Sequence, residues 1–201
     1  MIRVLQLIKK NLPFVWNSIE FLNGIVIEVF YGRKIKNAHV ETFETLTLSK
    51  YQYRTLHQED LIHLENMLTF QPKGFDDYFK PHCFDSKTLK MLLKNPAFQM
   101  FGVFDGEKII GYFFLRFFLN RKAFRGKMVD VAYQGKGIAK EMGKITTDIA
   151  YRAGFRLFAT ISKFNYGSMA SSAAVNKIHV IKELPKDYVY IEYFKNVKTD
   201  F

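Results

Sequence analysis

The stretch from Ala123 to Gly154 constrains the fold more than any other part of the sequence. An apolar run over 123–133 predicts a strand, the glycines of 134–137 predict a loop, and a helix follows over 138–153. The predicted helix has an apolar stripe made of Ile138, Met142, Ile145 and Ile149. Gly154 is suited to end it, because glycine adopts the left-handed conformation common after a helix. A strand that enters a helix through a short loop indicates an α/β fold.

The elements on either side of this stretch predict a mixed α/β domain with an antiparallel hairpin. The turn signal Asp105-Gly106 joins two apolar runs, as is typical of a hairpin. Before the loop we predict a strand over 48–56, a helix opened by Gln58-Glu59-Asp60, a helix capped by Asp85 or Ser86, and strands over 98–104 and 108–119. After it we predict a strand over 155–161, a helix over 166–175, and strands over 180–184 and 188–194.

Residues 1–45 are predicted to form an N-terminal extension, and residues 46–201 the main domain. Apolar residues at helical spacing follow Asn11 and Pro13, but Asn23-Gly24 predicts a break, with Ile25–Tyr31 as an alternative strand. Residues 1–36 carry six Lys/Arg against two Glu. This helix could pack on the domain and help to wall its functional site, or lie on an anionic membrane, and we expect packing.

The loop after the long strand has the properties of a phosphate site. The first turn of a helix has unpaired N–H groups and a partial positive charge, and glycines let an anion approach them closely. Lys136 adds a formal charge, and residues 121–144 carry seven Lys/Arg against two acidic residues. The alternative is an ordinary solvated basic face beside a strand–helix turn.

The segment Gln134-Gly135-Lys136-Gly137-Ile138-Ala139 resembles the pyrophosphate-binding motif of the GNAT acetyltransferases, Gln/Arg-x-x-Gly-x-Gly/Ala. Gln134, Gly137 and Ala139 fill its first, fourth and sixth positions. The order of elements is similar to that family over roughly residues 48–194. The resemblance implies a mostly antiparallel sheet splayed at the cofactor-binding strand, and an acetyl-CoA-dependent N-acetyltransferase that acts by direct attack on the thioester.

The resemblance also assigns residues to the cofactor. The strand that ends in Val129, Val131 and Tyr133 would pair with the pantetheine arm. The loop residues Gln134, Gly135, Lys136, Gly137, Ile138 and Ala139 would hold the pyrophosphate, and Asn165 with Ser168 would contact the cofactor near the next strand. The family often places a general-acid tyrosine where this chain has Ser172, which leaves Tyr166, Ser172 or water for that role.

Asp130 is the candidate general base. It is an acidic residue in an otherwise apolar strand beside the predicted cofactor loop, where partial burial would raise the pKa of its carboxyl group. The alternative is a structural ion pair with a neighbouring cation such as Lys127.

The aromatic and charged loop over 70–84 is the candidate acceptor site, because the corresponding region often has this role in the family. The candidate substrate-binding residues are Asp76, Asp77, Tyr78 and His82. The alternative is a surface loop anchored by Phe75, Phe79 and Phe84.

The predicted function is acetylation of a small-molecule amine, with amino sugars of surface polysaccharide synthesis as the narrower candidate. Acetylation of a protein or peptide amine is the rival, and a basic nucleic-acid- or membrane-surface-binding protein is the rival of another class. The net charge of +11 suits any anionic partner, but the sequence shows no nucleic-acid-binding motif. No Cys/His cluster has metal-ligand spacing, and the single cysteine, Cys83, excludes an internal disulfide and favours the cytoplasm.

Overall fold

A computed structural model describes residues 13–46, 50–72, 74 and 78–196, with the side chains of the first helix described from Ser18 onward. The helices are α1 (Pro13–Thr45), α2 (Leu61–Thr69), α3 (Ser86–Leu93), α4 (Ile138–Arg152) and α5 (Tyr166–Ala173). The strands are β1 (Gln52–Thr55), β2 (Phe98–Asp105), β3 (Lys108–Phe118), β4 (Lys122–Val129), β5 (Arg156–Ser162), β6 (Asn176–Leu184) and β7 (Tyr188–Lys195).

The strands form one sheet in the order β1-β2-β3-β4-β5-β7-β6. Every neighbouring pair is antiparallel except β4 and β5, which run parallel. The predicted hairpin is confirmed, since β2 and β3 pair from Phe98 with Arg116 to Asp105 with Lys108. The sheet is therefore mixed and mostly antiparallel, as predicted.

Each face of the sheet carries a hydrophobic core. On one face α1 and α4 cover the sheet, and the predicted stripe of α4 from Ile138 to Ile149 is buried there. On the other face α2 and α3 bury Leu61, Leu64 and Leu89 against the central strands. Because both faces are covered, β2 and β3 are apolar almost throughout and show no alternation.

The predicted break at Asn23-Gly24 and the alternative strand over 25–31 are wrong, because α1 is a continuous helix of 33 residues. Here the Asn-Gly pair serves close packing. The Asn23 side chain donates to the carbonyl of Phe117 at 2.9 Å. A Cβ atom at Gly24 would lie 2.6 Å from the side-chain oxygen of Asn95, so glycine lets the helix approach the start of β2.

One face of α1 packs against the domain along most of its described length. Ile27, Ile35 and Ala38 are buried in the core that α4 shares. Polar contacts fix the carboxyl-terminal half, where Thr42 donates to Asp148 at 3.1 Å and Arg152 contacts Glu41 at 2.8 Å. The boundary between residues 45 and 46 stays a prediction.

We expect Ile27→Ala to lower the free energy of unfolding by about 2–4 kcal/mol, because it removes buried methyl and methylene groups and leaves a cavity. Val29→Ala is the matched control on the same helix, since Val29 is 71% exposed and should change stability by less than about 0.5 kcal/mol. Urea denaturation measures both. Equal effects would show that α1 does not dock through this face.

Candidate active site

A cleft opens where β4 and β5 separate. The two strands pair only from Lys122 with Arg156 to Phe124 with Phe158, and beyond this point β4 has no partner on its β5 side. The cleft encloses about 650 Å³. Its lining residues are Gly74, Tyr78, Phe79, Lys127–Val129, Tyr133–Gly135, Gly137–Lys140, Phe164–Ser168 and Ser171.

The loop at one end of the cleft fits an anion. Gly135 and Gly137 have φ values of 75° and 82°, and a Cβ atom at either position would meet nothing within 4 Å. Among the described residues, no acceptor pairs with the backbone N–H groups of residues 135–139. These groups lie at the amino-terminal end of α4, which carries a partial positive charge. Open space and unpaired donors are what a pyrophosphate requires.

The strand that leads to this loop is shorter than predicted. β4 ends at Val129, and residues 131–133 form a single 3-10 turn. The reason is the Asp130 side chain, which accepts a hydrogen bond from Ala132 N at 3.0 Å and so turns the backbone out of the strand. Val131 consequently lies outside the cleft, where its N–H donates to Gln71 at 3.1 Å. The prediction of a strand to Tyr133 is wrong.

Asp130 lines a different opening from the cleft. Its carboxylate lies 3.5 Å from Lys108 Nζ, in a pocket of about 340 Å³ that also contains His63 and Glu107. The partner in the ion pair is therefore Lys108 and not Lys127. Asp130, the predicted general base, is thus engaged with Lys108 and is not among the residues that line the cleft.

Two cations of β4, Arg125 and Lys127, point inward. Arg125 is buried and donates to Gly143 O at 3.2 Å and to the hydroxyl groups of Thr147 and Ser172 at 3.1 and 3.3 Å. It also donates to Asn176 Oδ1 at 3.2 Å, and its guanidinium lies 3.6 Å from the ring centroid of Tyr193. Arg125 thus links β4 to α4, α5, β6 and β7, and it does not belong to a solvated basic face.

Lys127 lines the cleft two residues further along the same face of β4. Its Nζ donates to the carbonyl of Ala139 at 2.9 Å and to Ser171 Oγ at 2.8 Å. Burial lowers the pKa of the Lys127 amine to about 6, with a further contribution from the charge of Arg125. At neutral pH this amine is therefore largely uncharged.

The start of α5 forms the opposite wall. Asn165 and Ser168 line the cleft, and the Asn165 side chain caps the helix by accepting from Ser168 N at 2.9 Å. Tyr166 is 74% exposed at the cleft. Ser172 is fully buried and contacts Arg125 and the Tyr193 hydroxyl, so the structure removes it from the candidates for general acid.

The loop over 70–84 contributes aromatic residues more than polar ones. Tyr78 and Phe79 line the cleft. His82 packs instead on the central sheet, with Nε2 3.0 Å from the Tyr112 hydroxyl and Nδ1 2.8 Å from Cys83 O. Asp76 and Asp77 lie outside the described residues.

Sequence reasoning missed Lys127, Ser171 and Phe164 as cleft residues. The signal for Lys127 was present, because Arg125, Lys127 and Val129 alternate along β4 and must share one face. That face had to pack against the amphipathic helix α4, which places the cations inside the protein.

A family model described as the acetyltransferase (GNAT) family matches residues 58–171, which is more than half of the chain. Comparison with curated protein sequences finds no match. Among the described residues no group of His, Cys, Asp and Glu side chains could hold a metal ion.

Solved structures share the fold at low identity. Ribosomal-protein-S5-alanine acetyltransferase from Vibrio fischeri is 20% identical with a TM-score of 0.60, covering 76% of this chain and 97% of that protein. Aminoglycoside acetyltransferase AAC(6')-Ib, solved with paromomycin and acetyl-CoA, is 10% identical with a TM-score of 0.60, over 76% and 100%. A chimera of spermidine N-acetyltransferase from Vibrio cholerae is 19% identical with a TM-score of 0.58, over 73% and 96%.

We expect acetyl-CoA at a hundredfold excess over its Kd to stabilise the protein by about 2.7 kcal/mol, or roughly 5–10 °C in Tm. Gly137→Asp should abolish this shift, because a carboxylate would enter the open space that we predict for the phosphates. Gly137→Asn is the matched control, with the same shape and the same backbone strain but no charge. Equal loss in both variants would assign the effect to shape and contradict an anion site.

Proposed function

The chain belongs to the acetyltransferase (GNAT) family, and from this premise we propose that it transfers an acetyl group from acetyl-CoA to an amine of a small molecule. The observation that carries the proposal is the loop of residues 135–139 at one end of the cleft, where the N–H groups have no acceptor among the described residues and the space beside Gly135 and Gly137 is open. The family match establishes the acetyltransferase class, and the acceptor is our proposal.

The chain offers two surfaces to the acyl donor. The amides of Gly135 to Ala139 would hold the pyrophosphate, with Lys136 exposed beside them. The backbone of residues 125–129, which has no strand partner on the β5 side, would run beside the pantetheine arm. The donor itself supplies a thioester activated for attack by an amine. Tyr166, at the cleft on α5, is the candidate that would return a proton to the departing thiolate.

The charge of the cleft supports a particular class of acceptor. Among the described lining residues none is acidic, and Lys140 carries a positive charge. Such a cleft suits a molecule with one reactive amine and otherwise neutral or anionic groups more than a polycation. The aromatic rings of Tyr78, Phe79 and Phe164 offer flat apolar surfaces to a sugar. An amino sugar linked to a nucleotide combines these properties, and a protein or peptide amine is the alternative.

We expect release of free coenzyme A thiol to be fastest with a nucleotide-linked amino sugar. The panel contains that compound, the free amino sugar, spermidine, kanamycin and a peptide with an amino-terminal alanine. The free amino sugar is the control, because it keeps the reactive amine and lacks the anionic diphosphate and its nucleoside. Faster release with the peptide would favour the protein-acetylating alternative, and faster release with spermidine or kanamycin would contradict the argument from charge.

A second candidate property is contact with an anionic membrane through α1. Opposite its packed face the helix exposes a band of apolar side chains, which are Ile19, Leu22, Ile25, Val29 and Phe30. Arg33, Lys34 and Lys36 follow directly on the same helix, and an apolar band beside cations is typical of helices that lie on anionic lipid. Within the described residues no helix combines the length and apolarity needed to cross a membrane. The cytoplasmic location stays a prediction.

We expect the protein to co-float with vesicles containing phosphatidylserine at low salt. It should bind them more weakly at roughly 0.5 M salt, because salt screens the attraction between the lysines and arginines of α1 and the anionic lipid. Val29→Asp with Phe30→Asp should abolish binding, while the same substitutions leave the buried face unchanged. If the wild-type protein does not float with the vesicles at low salt, the membrane proposal is wrong and the role of α1 is packing against the domain.

A further inference from the structure

We propose that Lys127 is the proton acceptor of the transfer, taking the proton that the acceptor amine loses as it attacks the thioester. The inference rests on the proposed function. In this step the acceptor nitrogen bonds to the acetyl carbon as the carbon–sulfur bond breaks, the sulfur leaves with the electron pair, and the proton passes to Lys127 Nζ. Lys127 later returns that proton to solvent.

The hydrogen bonds of Lys127 match those of a neutral amine. A neutral amine has two N–H donors and one lone pair, whereas an ammonium has three donors and no lone pair. Lys127 Nζ makes two donor bonds, to Ala139 O at 2.9 Å and to Ser171 Oγ at 2.8 Å. Two bonds use both donors of a neutral amine, and the third position on Nζ has no partner among the described residues and is available to the cleft that Lys127 lines.

The charges around Lys127 also favour the neutral form. On its own strand the neighbouring charge is that of Arg125. Arg125 Nη1 and Lys127 Nζ each lie 3.8 Å from the position that a Cβ atom of Gly143 would occupy, so the two groups are close together. From α4 the nearby titratable group of the cleft is Lys140, and the other titratable groups of its wall are Tyr78, Tyr133 and Tyr166. Among the described residues no carboxylate forms an ion pair with Lys127.

The position of Lys127 suits contact with the reacting atoms. It lies on the part of β4 that has separated from β5, two residues before Val129, where the cleft is bounded by α5 on the other side. Asp130, by contrast, is engaged with Lys108 in a separate pocket. A base works best when the pKa of its conjugate acid is close to the working pH, and burial brings Lys127 towards that range.

The first test measures protonation without turnover. The protein is labelled with trace isotopic acetic anhydride from pH 5 to 9, and each lysine is quantified by peptide mass spectrometry. We expect labelling of Lys127 to reach half its maximum near pH 6, because only the neutral amine reacts. An ordinary lysine has a pKa of about 10.4, so the exposed lysines in the same sample serve as reference. A Lys127 profile that follows the exposed lysines would overturn the proposal.

The second test separates a base from a cation. Lys127→Arg keeps a positive charge and hydrogen-bond donors but cannot accept a proton at these pH values. With the fastest amine of the panel, we expect Lys127→Arg and Lys127→Gln to lose about 10²-fold or more in turnover. Both should retain the thermal shift with acetyl-CoA. After correction for protonation of the free acceptor amine, wild-type kcat/KM should rise with pH and level off above about 6, as Lys127 loses its proton, and the variants should lack this limb.

Full turnover in Lys127→Arg would show that the residue acts as a cation and would overturn the proposal. Turnover lost in Asp130→Asn but kept in both Lys127 variants would return the role to the carboxylate. Failure of the proposed function has a different signature. In that case wild type shows neither a thermal shift with acetyl-CoA nor thiol release with any amine, whereas the labelling profile decides the state of Lys127 by itself.

Discussion

The burial of the Arg125 guanidinium at the point where β4 and β5 part is the interaction on which the site depends. A buried charge is costly unless hydrogen bonds satisfy it. Here neutral oxygens of α4, α5 and β6 surround it, and the ring of Tyr193 on β7 covers one side. These contacts tie four elements to β4 just beyond the last β4–β5 pair, Phe124 with Phe158. The separation of the strands is thus held by a fixed polar cluster.

The same guanidinium shapes the chemistry of the cleft. Because Arg125 carries its charge on the face that Lys127 shares, it adds to burial in lowering the pKa of the Lys127 amine. A structural cation and a titrating amine therefore stand side by side on one strand. Arg125 therefore contributes both to the contacts around the opening of the sheet and to the electrostatic environment of Lys127.

The sequence predicted the donor side of the site well, because that side is local. The loop Gln134–Gly137 and the stripe of α4 are adjacent along the chain, and their spacing alone indicates a helix amino terminus with room for an anion.

The prediction failed where a side chain competes with the backbone pattern. Asp130 ends β4 by accepting from Ala132 N, a contact that apolar periodicity does not register. Asn23-Gly24 predicted a break in the first helix, but the helix continues and Gly24 lies close to Asn95. Tertiary packing determines that contact, and local sequence does not. Tertiary packing also explains why Asp130 pairs with Lys108 and not with Lys127, which contacts Ala139 and Ser171.

The docking of α1 has a consequence for synthesis. Its partners lie far along the chain, with Asn23 contacting Phe117 and Thr42 contacting Asp148, 94 and 106 residues away. At about 5–20 residues per second, a ribosome needs roughly 5–20 s to deliver those partners after the helix itself. Throughout that interval both apolar faces of a helix about 50 Å long are uncovered. The nascent chain is then most exposed to aggregation, and this is the period in which a chaperone would have the most to protect.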